Sequence, residues 1–284
     1  MQLLKSNLDA SVNFVEQQLT GFIEARYVRR QQDYFIAYLS SQTGCNRGCR
    51  MCHLTVTKQT QFTNCDQQDF VTQLETVFEH YQRDTPAKIM HVNFMARGEP
   101  LANPTVVETG TELLWRLGLM ARARGLQVKF NVSTIMPVTL RKPLTEVFPL
   151  LTPTLYYSMY SVNSAFRNKW LPAAMPVDSA LGALREYQKV SKKIVKFHGA
   201  FIKNENDSEE DVEAMMTQIK KSQLHSEFNI VRYNPYSAEQ GVESDRIQEI
   251  SDQISSHMPV KIIPRVGFDA KASCGMFVQG GQVA

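Results

Sequence analysis

The chain has 284 residues, 43% apolar and 21% charged, with a formal net charge of +3. This balance argues against a disordered chain, and no run of 18 apolar residues is present to form a membrane-spanning helix. The slight positive charge permits a nucleic-acid partner without specifying one.

The opening residues, MQLLKSNLDASVNF, lack the apolar core and cleavage pattern of a secretory signal. Five cysteines, three of them within eight positions, do not form a disulfide framework, so a cytoplasmic, reducing location is expected. Residues 1–24 read as a mostly polar helix ending in a turn, and Ile23 to Leu39 as two short strands around Arg29, Arg30 and Gln31. The second strand, Tyr34 to Leu39, leads into a cysteine loop. Phe70, Leu74 and Val77 recur at helical spacing and predict a helix over 67–81. Strands are then predicted at 89–95, 127–132, 154–159, 194–202 and 228–233, with a last one at 259–264. Helices are predicted between them at 105–123, 138–147, 177–189, 208–221 and 244–256. This alternation implies βαβ units and a mainly parallel sheet. The number of units predicts an α/β fold with an open, partial barrel. Ligand groups then belong at the C-terminal ends of the strands. The cysteine loop, ARGEP, STIMP and YNPY all follow predicted strands.

The cysteine loop, GCNRGCRMC, spaces Cys45, Cys49 and Cys52 as C-x3-C-x2-C. Three thiolates so placed can hold three irons of a [4Fe-4S] cluster and leave the fourth open. That spacing is the signature of enzymes that cleave S-adenosyl-L-methionine (SAM) reductively. A structural zinc site is the rival reading, with His53 or Cys65 as a fourth ligand. Gly44 and Gly48 suit a tight loop; Met51 either shields the cluster or joins the core. Gly98 and Glu99 lie in Arg97-Gly98-Glu99-Pro100, where Glu99 can accept from a ligand ammonium or merely end a strand. Ser133 and Ser158 close successive strands and either bond a nucleoside or cap the next helix. Asn234 either meets the ligand or holds the turn before Pro235. Cys274 lies in ASCGM near a glycine-rich tail, where a cysteine can reach a site as a nucleophile or pack as a small hydrophobe. Basic residues at Arg26, Arg29, Arg30, Arg47 and Arg50, and at Lys189, Lys192, Lys193 and Lys196, accompany Tyr156, Tyr157, Tyr160, Tyr233 and Tyr236. They suggest a phosphate-tracking, base-stacking surface.

From about Gly21 to Gly281 the chain resembles the radical SAM adenine methyltransferases of RNA, the RlmN-like and Cfr-like enzymes. The matching pieces stand in family order: SSQTGCNRGCRMC, FMARGEPLANP, VSTIMP, SMYS, IKNENDSEED, YNPY and GFDAKASCGMF. The resemblance implies a partial (β/α)6 radical SAM barrel over residues 41–284 behind an N-terminal extension of residues 1–40. It implies a [4Fe-4S] cluster on Cys45, Cys49 and Cys52. It implies SAM bound by Gly98, Glu99, Ser133, Ser158 and Asn234. Cys274 matches the tail cysteine that is methylated by a first SAM. Hydrogen loss from that methyl to a radical from a second SAM lets the carbon add to adenine C2 or C8. RNA is the implied partner, as transfer RNA or a ribosomal RNA fragment, with DNA or a nucleotide as alternatives. An external electron donor such as flavodoxin, and a monomer, are implied as well.

The chain departs from the family pattern in five places. Tyr38 occupies the position of the cysteine that resolves the enzyme–RNA adduct, which leaves Cys65 as the candidate substitute. Tyr160 stands for a histidine, and Arg97 for a methionine. The stretch from Cys52 to Phe62 is longer than usual, and the accessory N-terminal domain is largely missing. Tyr38, Tyr160 and the missing N-terminal domain motivate a second reading, a different radical SAM reaction without methyl transfer; the cysteines and basic groups by themselves allow a third, a zinc-stapled RNA-binding protein.

Overall fold

The alternating apolar runs form one continuous ten-stranded sheet in a computed structural model, which describes residues 1–280. Gly281 and the end of the 41–284 unit lie outside the described residues. The strands are β1 (Gln2–Lys5), β2 (Val12–Gln17), β3 (Phe22–Gln31), β4 (Tyr34–Tyr38), β5 (Ile89–Phe94), β6 (Gln127–Thr134), β7 (Thr154–Ser158), β8 (Val195–Gly199), β9 (Ser226–Val231) and β10 (Val260–Ile263). Spatial order equals chain order. β1 to β4 pair antiparallel, and β4 to β10 pair parallel.

Parallel neighbours require crossovers, and the chain supplies six. α1 (His53–Val56) and α2 (Gln67–Tyr81) join β4 to β5, and α3 (Pro104–Arg122) joins β5 to β6. α4 (Leu144–Val147) leads to β7, and α5 (Ser164–Trp170) and α6 (Val177–Ser191) lead to β8. α7 (Glu209–Ser222) and α8 (Ile247–Ser255) complete the set. β1 and β10 are edges and do not pair, so the barrel is open as expected.

Local chemistry sets the helix starts. Asp66 and Asp69 form a reciprocal capping box on α2, and Asn103 caps α3 ahead of Pro104. The buried face of α2, with Phe70, Leu74, Val77 and Phe78, packs with Phe35, Met90 and Val92 in the main core. Each such side chain contributes about 1.5–3 kcal/mol by burial. The core therefore lies between helices and one face of the sheet, which leaves the other face free to line a cavity.

The helix expected over residues 1–24 is absent. These residues form β1, β2 and the start of β3, and they extend the same sheet. Their polar composition misleads because Asn13 and Glu24 are fully buried, in a charge network that no local pattern reveals. The helix expected over 138–147 shrinks to the single turn of α4, because Pro143 stands at its N-cap and restricts the residue before it. The remaining predicted elements are present with ends shifted by a few residues.

Candidate active site

A cavity of about 430 Å³ opens where the parallel strands end, lined by Cys45, Cys49, Cys52, Gly98, Glu99 and Cys274. Tyr38, Ser133, Ser158 and Asn234 line it too. Residues spread over more than 230 positions thus share one space. The local backbone shows how each arrives there.

The cysteine loop leaves β4 and folds back on itself. Cys52 N donates to Cys49 O (3.0 Å) and Cys45 N to Gln59 O (3.0 Å). Gly48 turns the loop at φ +72°, a conformation that costs other residues energy. Burial, then the neighbouring Cys52 thiol, pushes Cys45 up to about 12. Burial pushes Cys49 well above its usual value and Cys52 up to about 11. Three such thiols remain protonated near neutrality unless a metal replaces their protons. Soft, clustered and deprotonated only by metal, this donor set fits an iron–sulfur cluster.

The zinc alternative lacks its fourth ligand. His53 Nε2 is engaged by Asn234 O (3.0 Å), and the ring does not line the cavity. Cys65 is 1% exposed in the main core. Among the described residues, no three His, Cys, Asp or Glu side chains converge on a single-ion site. Met51 both lines the cavity and packs with Trp170 and Leu171 in a smaller core.

Gly98 crosses Ser41 and Gln42 at φ +93°, and an added Cβ there would lie 2.6 Å from Ser41 Oγ. That approach brings Glu99 into the cavity wall. Glu99 accepts from Leu101 N and Ile135 N (both 3.1 Å). Burial nevertheless raises its pKa, so the carboxylate lacks a full counter-charge. A ligand ammonium would supply one.

Ser158 Oγ lies 2.9 Å and Ser133 Oγ 3.3 Å from His198 Nε2. His198, which the sequence reading missed, therefore links both serines. Burial depresses its pKa to about 4 and keeps the ring neutral. Its signal was its position two residues after Lys196 on one face of a strand. Asn234 is committed to the tail: Nδ2 donates to Cys274 O (3.0 Å), while Oδ1 accepts from Arg265 Nε (3.0 Å).

Cys274 is exposed toward the cavity, and burial of its surroundings raises its pKa while Arg26 opposes the rise. Its loop is held from beneath. Arg26 donates to the carbonyls of Ala272 (3.1 Å) and Met276 (2.7 Å). Arg97 donates to Val278 O, and both guanidinium groups pair with buried Glu24. His53 N also donates to Gly275 O (3.0 Å).

Cys65, the candidate resolving thiol, does not line the cavity and lies near Gln73 in the main core. The expected phosphate-tracking surface is also dispersed. Arg26, Tyr157 and Tyr233 are buried, Arg29 pairs with Asp84, and Arg50 lies over the Trp170 ring at 5.3 Å. Lys196 points into the cavity instead. No helix among the described residues is long and apolar enough to cross a membrane.

The fold, with this cavity at the ends of its parallel strands, is the one found in solved radical SAM structures. A crystal structure of a radical SAM methyltransferase from Sphaerobacter thermophilus matches with a TM-score of 0.81 at 20% identity, covering 97% of this chain and 80% of that one. Streptococcus suis SuiB bound to S-adenosylmethionine matches at 0.59 and 11% identity, covering 84% and 52%. No family model matches the chain. A protein of Synechococcus sp. (strain RCC307), named a probable dual-specificity RNA methyltransferase RlmN, is 30% identical over 264 residues, covering 88% of this chain and 72% of the relative. A protein of the same name from Picosynechococcus sp. (strain ATCC 27264 / PCC 7002 / PR-6) is 27% identical over 245 residues, covering 84% and 66%. One from Spiroplasma citri is 25% identical over 271 residues, covering 94% and 75%. The chain belongs to the RlmN family of RNA methyltransferases.

Proposed function

We propose that the chain methylates an adenine ring carbon, C2 or C8, of RNA through a methyl group carried on Cys274. The observation that supports this best is the placement of the Cys274 thiol in one cavity with Glu99 and the three-cysteine loop. The names of the relatives support RNA as the substrate.

In this reading Cys45, Cys49 and Cys52 hold a [4Fe-4S] cluster. Bound there and given an electron from an external donor such as flavodoxin, such a cluster would supply the one-electron chemistry that cleaves SAM to a radical. Glu99 takes the SAM ammonium and gains the counter-charge that burial denies it. Ser133 and Ser158, oriented by neutral His198, bond the remaining polar groups of SAM. Asn234 serves both sides by fixing the Cys274 backbone beside that pocket. The Cys274 sulfur takes a methyl group from one SAM, loses its thiol proton and releases S-adenosylhomocysteine. It then presents the methyl C–H bonds inside a space whose protein walls limit water.

Tyr38 favours a second reading. It lines the cavity where the family places a resolving cysteine, and Cys65 is out of reach. A radical reaction on a nucleic acid or nucleotide without methyl transfer needs no resolving thiol.

The test is anaerobic incubation of cluster-reconstituted protein with methyl-labelled SAM, dithionite and total RNA. Intact protein and digested nucleosides are read by mass spectrometry. A labelled methyl on Cys274 together with methyladenosine supports the first reading. 5′-Deoxyadenosine with neither methylated product supports the second.

A further inference from the structure

The cavity continues toward the N-terminal ends of the strands, past the groups assigned to SAM. Side chains on each strand alternate in and out, so its lining comes in layers. Tyr156 precedes Ser158 on β7, Lys196 precedes His198 on β8, and Glu227 precedes Asn229 on β9, and all six line the cavity. Closed eight-stranded barrels fill this depth with Val, Ile and Leu. Here the lower layer is charged and aromatic, and nothing in the proposed reaction uses it.

Its electrostatics are unbalanced. Lys196 Nζ is 2.8 Å from Glu227 Oε1, and Lys261 Nζ is 3.7 Å from Glu227 Oε2. One carboxylate thus serves two ammonium groups. Arg30, on β3, is a third cation lining the cavity, and its side chain has no ion pair or hydrogen bond among the described residues. Its Nε is shielded from solvent and unpartnered. Solvation accounts for exposed lysines, but it does not account for a shielded guanidinium N–H without an acceptor. Beside it, the Tyr34 and His91 rings stack with centroids 4.9 Å apart and planes 11° apart. Burial first, then Lys129, Lys196 and Arg30, depresses His91 to about 4. The imidazole is therefore an uncharged stacking surface near neutrality, set among cations.

We infer that this lower layer seats a nucleotide next to the target in a single-stranded segment of the RNA substrate. Its base lies against the Tyr34–His91 pair, and its phosphate meets Arg30, flanked by Lys196 and Lys261. Unpaired RNA suits such a site because its bases are free to stack on protein rings while cations hold the backbone. The inference rests on the RNA reading above and deepens it.

The test uses the full chain with SAM and a fluorescein-labelled hexaribonucleotide of A and U, read by anisotropy across a salt series. Arg30→Gln is expected to lower the slope of log affinity against log salt by about 0.7, the loss of one phosphate contact on a single strand. Tyr34→Ala is expected to weaken binding at least about fivefold, as loss of one stacked base does. Lys261→Gln, at a side chain that is 64% exposed, is expected to reduce the slope without risk to folding. Circular dichroism checks each variant. If all folded variants bind with wild-type affinity and slope, or if the wild type does not bind the oligonucleotide, the seat is wrong. The methyl group on wild-type Cys274 separates the two ideas. Its absence alongside salt-sensitive binding removes the methyl-transfer reading and leaves the seat, whereas its presence with indifferent variants does the reverse.

Discussion

Arg97 Nε donates to Glu24 Oε1 across 2.8 Å, with both side chains wholly shielded from solvent. Glu24 Oε1 also accepts from Val278 N (3.0 Å), and Arg97 donates to Val278 O, so one buried pair grips both the N–H and the carbonyl of a single tail residue. Arg26 completes the cluster on Glu24 Oε2 (2.9 Å). The residue that distinguishes this chain from the family methionine is thus a support for the loop that bears Cys274.

Arg97→Met should loosen that loop. It leaves Glu24 with Arg26, Asn13 and Val278 N, and breaking a buried pair typically costs about 3–5 kcal/mol. Urea denaturation should show a loss at or below that range. Hydrogen exchange should rise at 272–278 more than elsewhere. Adding Glu24→Gln should lower stability further, because buried Arg26 then loses its carboxylate as well. A uniform rise in exchange would mean that the pair supports the fold and not the tail in particular.

Acid stability should depend on Glu24. Burial alone raises its pKa, but Arg97 and Arg26 outweigh burial and hold it below 4.5. A depressed carboxylate stabilises the fold fully above its unfolded pKa and loses that contribution as pH falls through the folded value. His91 and His198, both depressed to about 4, lose theirs between 6.5 and 4. Thermal unfolding should therefore weaken first between pH 6.5 and 4, then further below 4.5. His198→Asn should flatten the first interval, and an unchanged slope there would contradict a neutral buried ring.

Glu99→Gln should weaken SAM binding about tenfold or more, since a hydrogen bond to a charged group contributes about 1.5–3 kcal/mol. Equilibrium dialysis of labelled SAM against reconstituted protein measures this directly. Equal affinity would move the ammonium away from Glu99.

The two cysteines outside the loop should behave oppositely. Cys274→Ala should abolish labelling of the tail and of RNA. Cys65→Ser should leave labelling near wild type, because Cys65 packs in the core and does not reach the cavity. Strong loss of RNA methylation in a stably folded Cys65→Ser protein would reinstate it as a resolving thiol.

Tyr38→Cys should restore a thiol at the cavity wall. Wild-type protein is expected to accumulate a covalent RNA adduct on denaturing gels, and the variant to clear it and raise turnover. Fast turnover by the wild type with no adduct would show that Tyr38 imposes no such block.

Much of the site was legible in the chain itself. The spacing of Cys45, Cys49 and Cys52 confines three thiols to one short loop whatever surrounds it. Alternating runs and helical repeats placed most strands and helices because periodicity reports which face is buried. β1 and β2 escaped because they are short and mix polar with apolar residues, and buried Asn13 does not announce its burial. His198 escaped because its role lies in two serines 40 and 65 residues away.

By itself the sequence determined the clustering of three thiols, the βα alternation and the tail cysteine, since each rests on neighbours a few residues apart. Tertiary structure alone decided that Cys65 is core, that Asn234 holds the tail, and that Arg97 meets Val278 from 181 residues away. It also decided that Glu24 meets Val278 from 254 residues away. Those pairings depend on how ten strands register and curve, a collective outcome of packing that no short segment encodes.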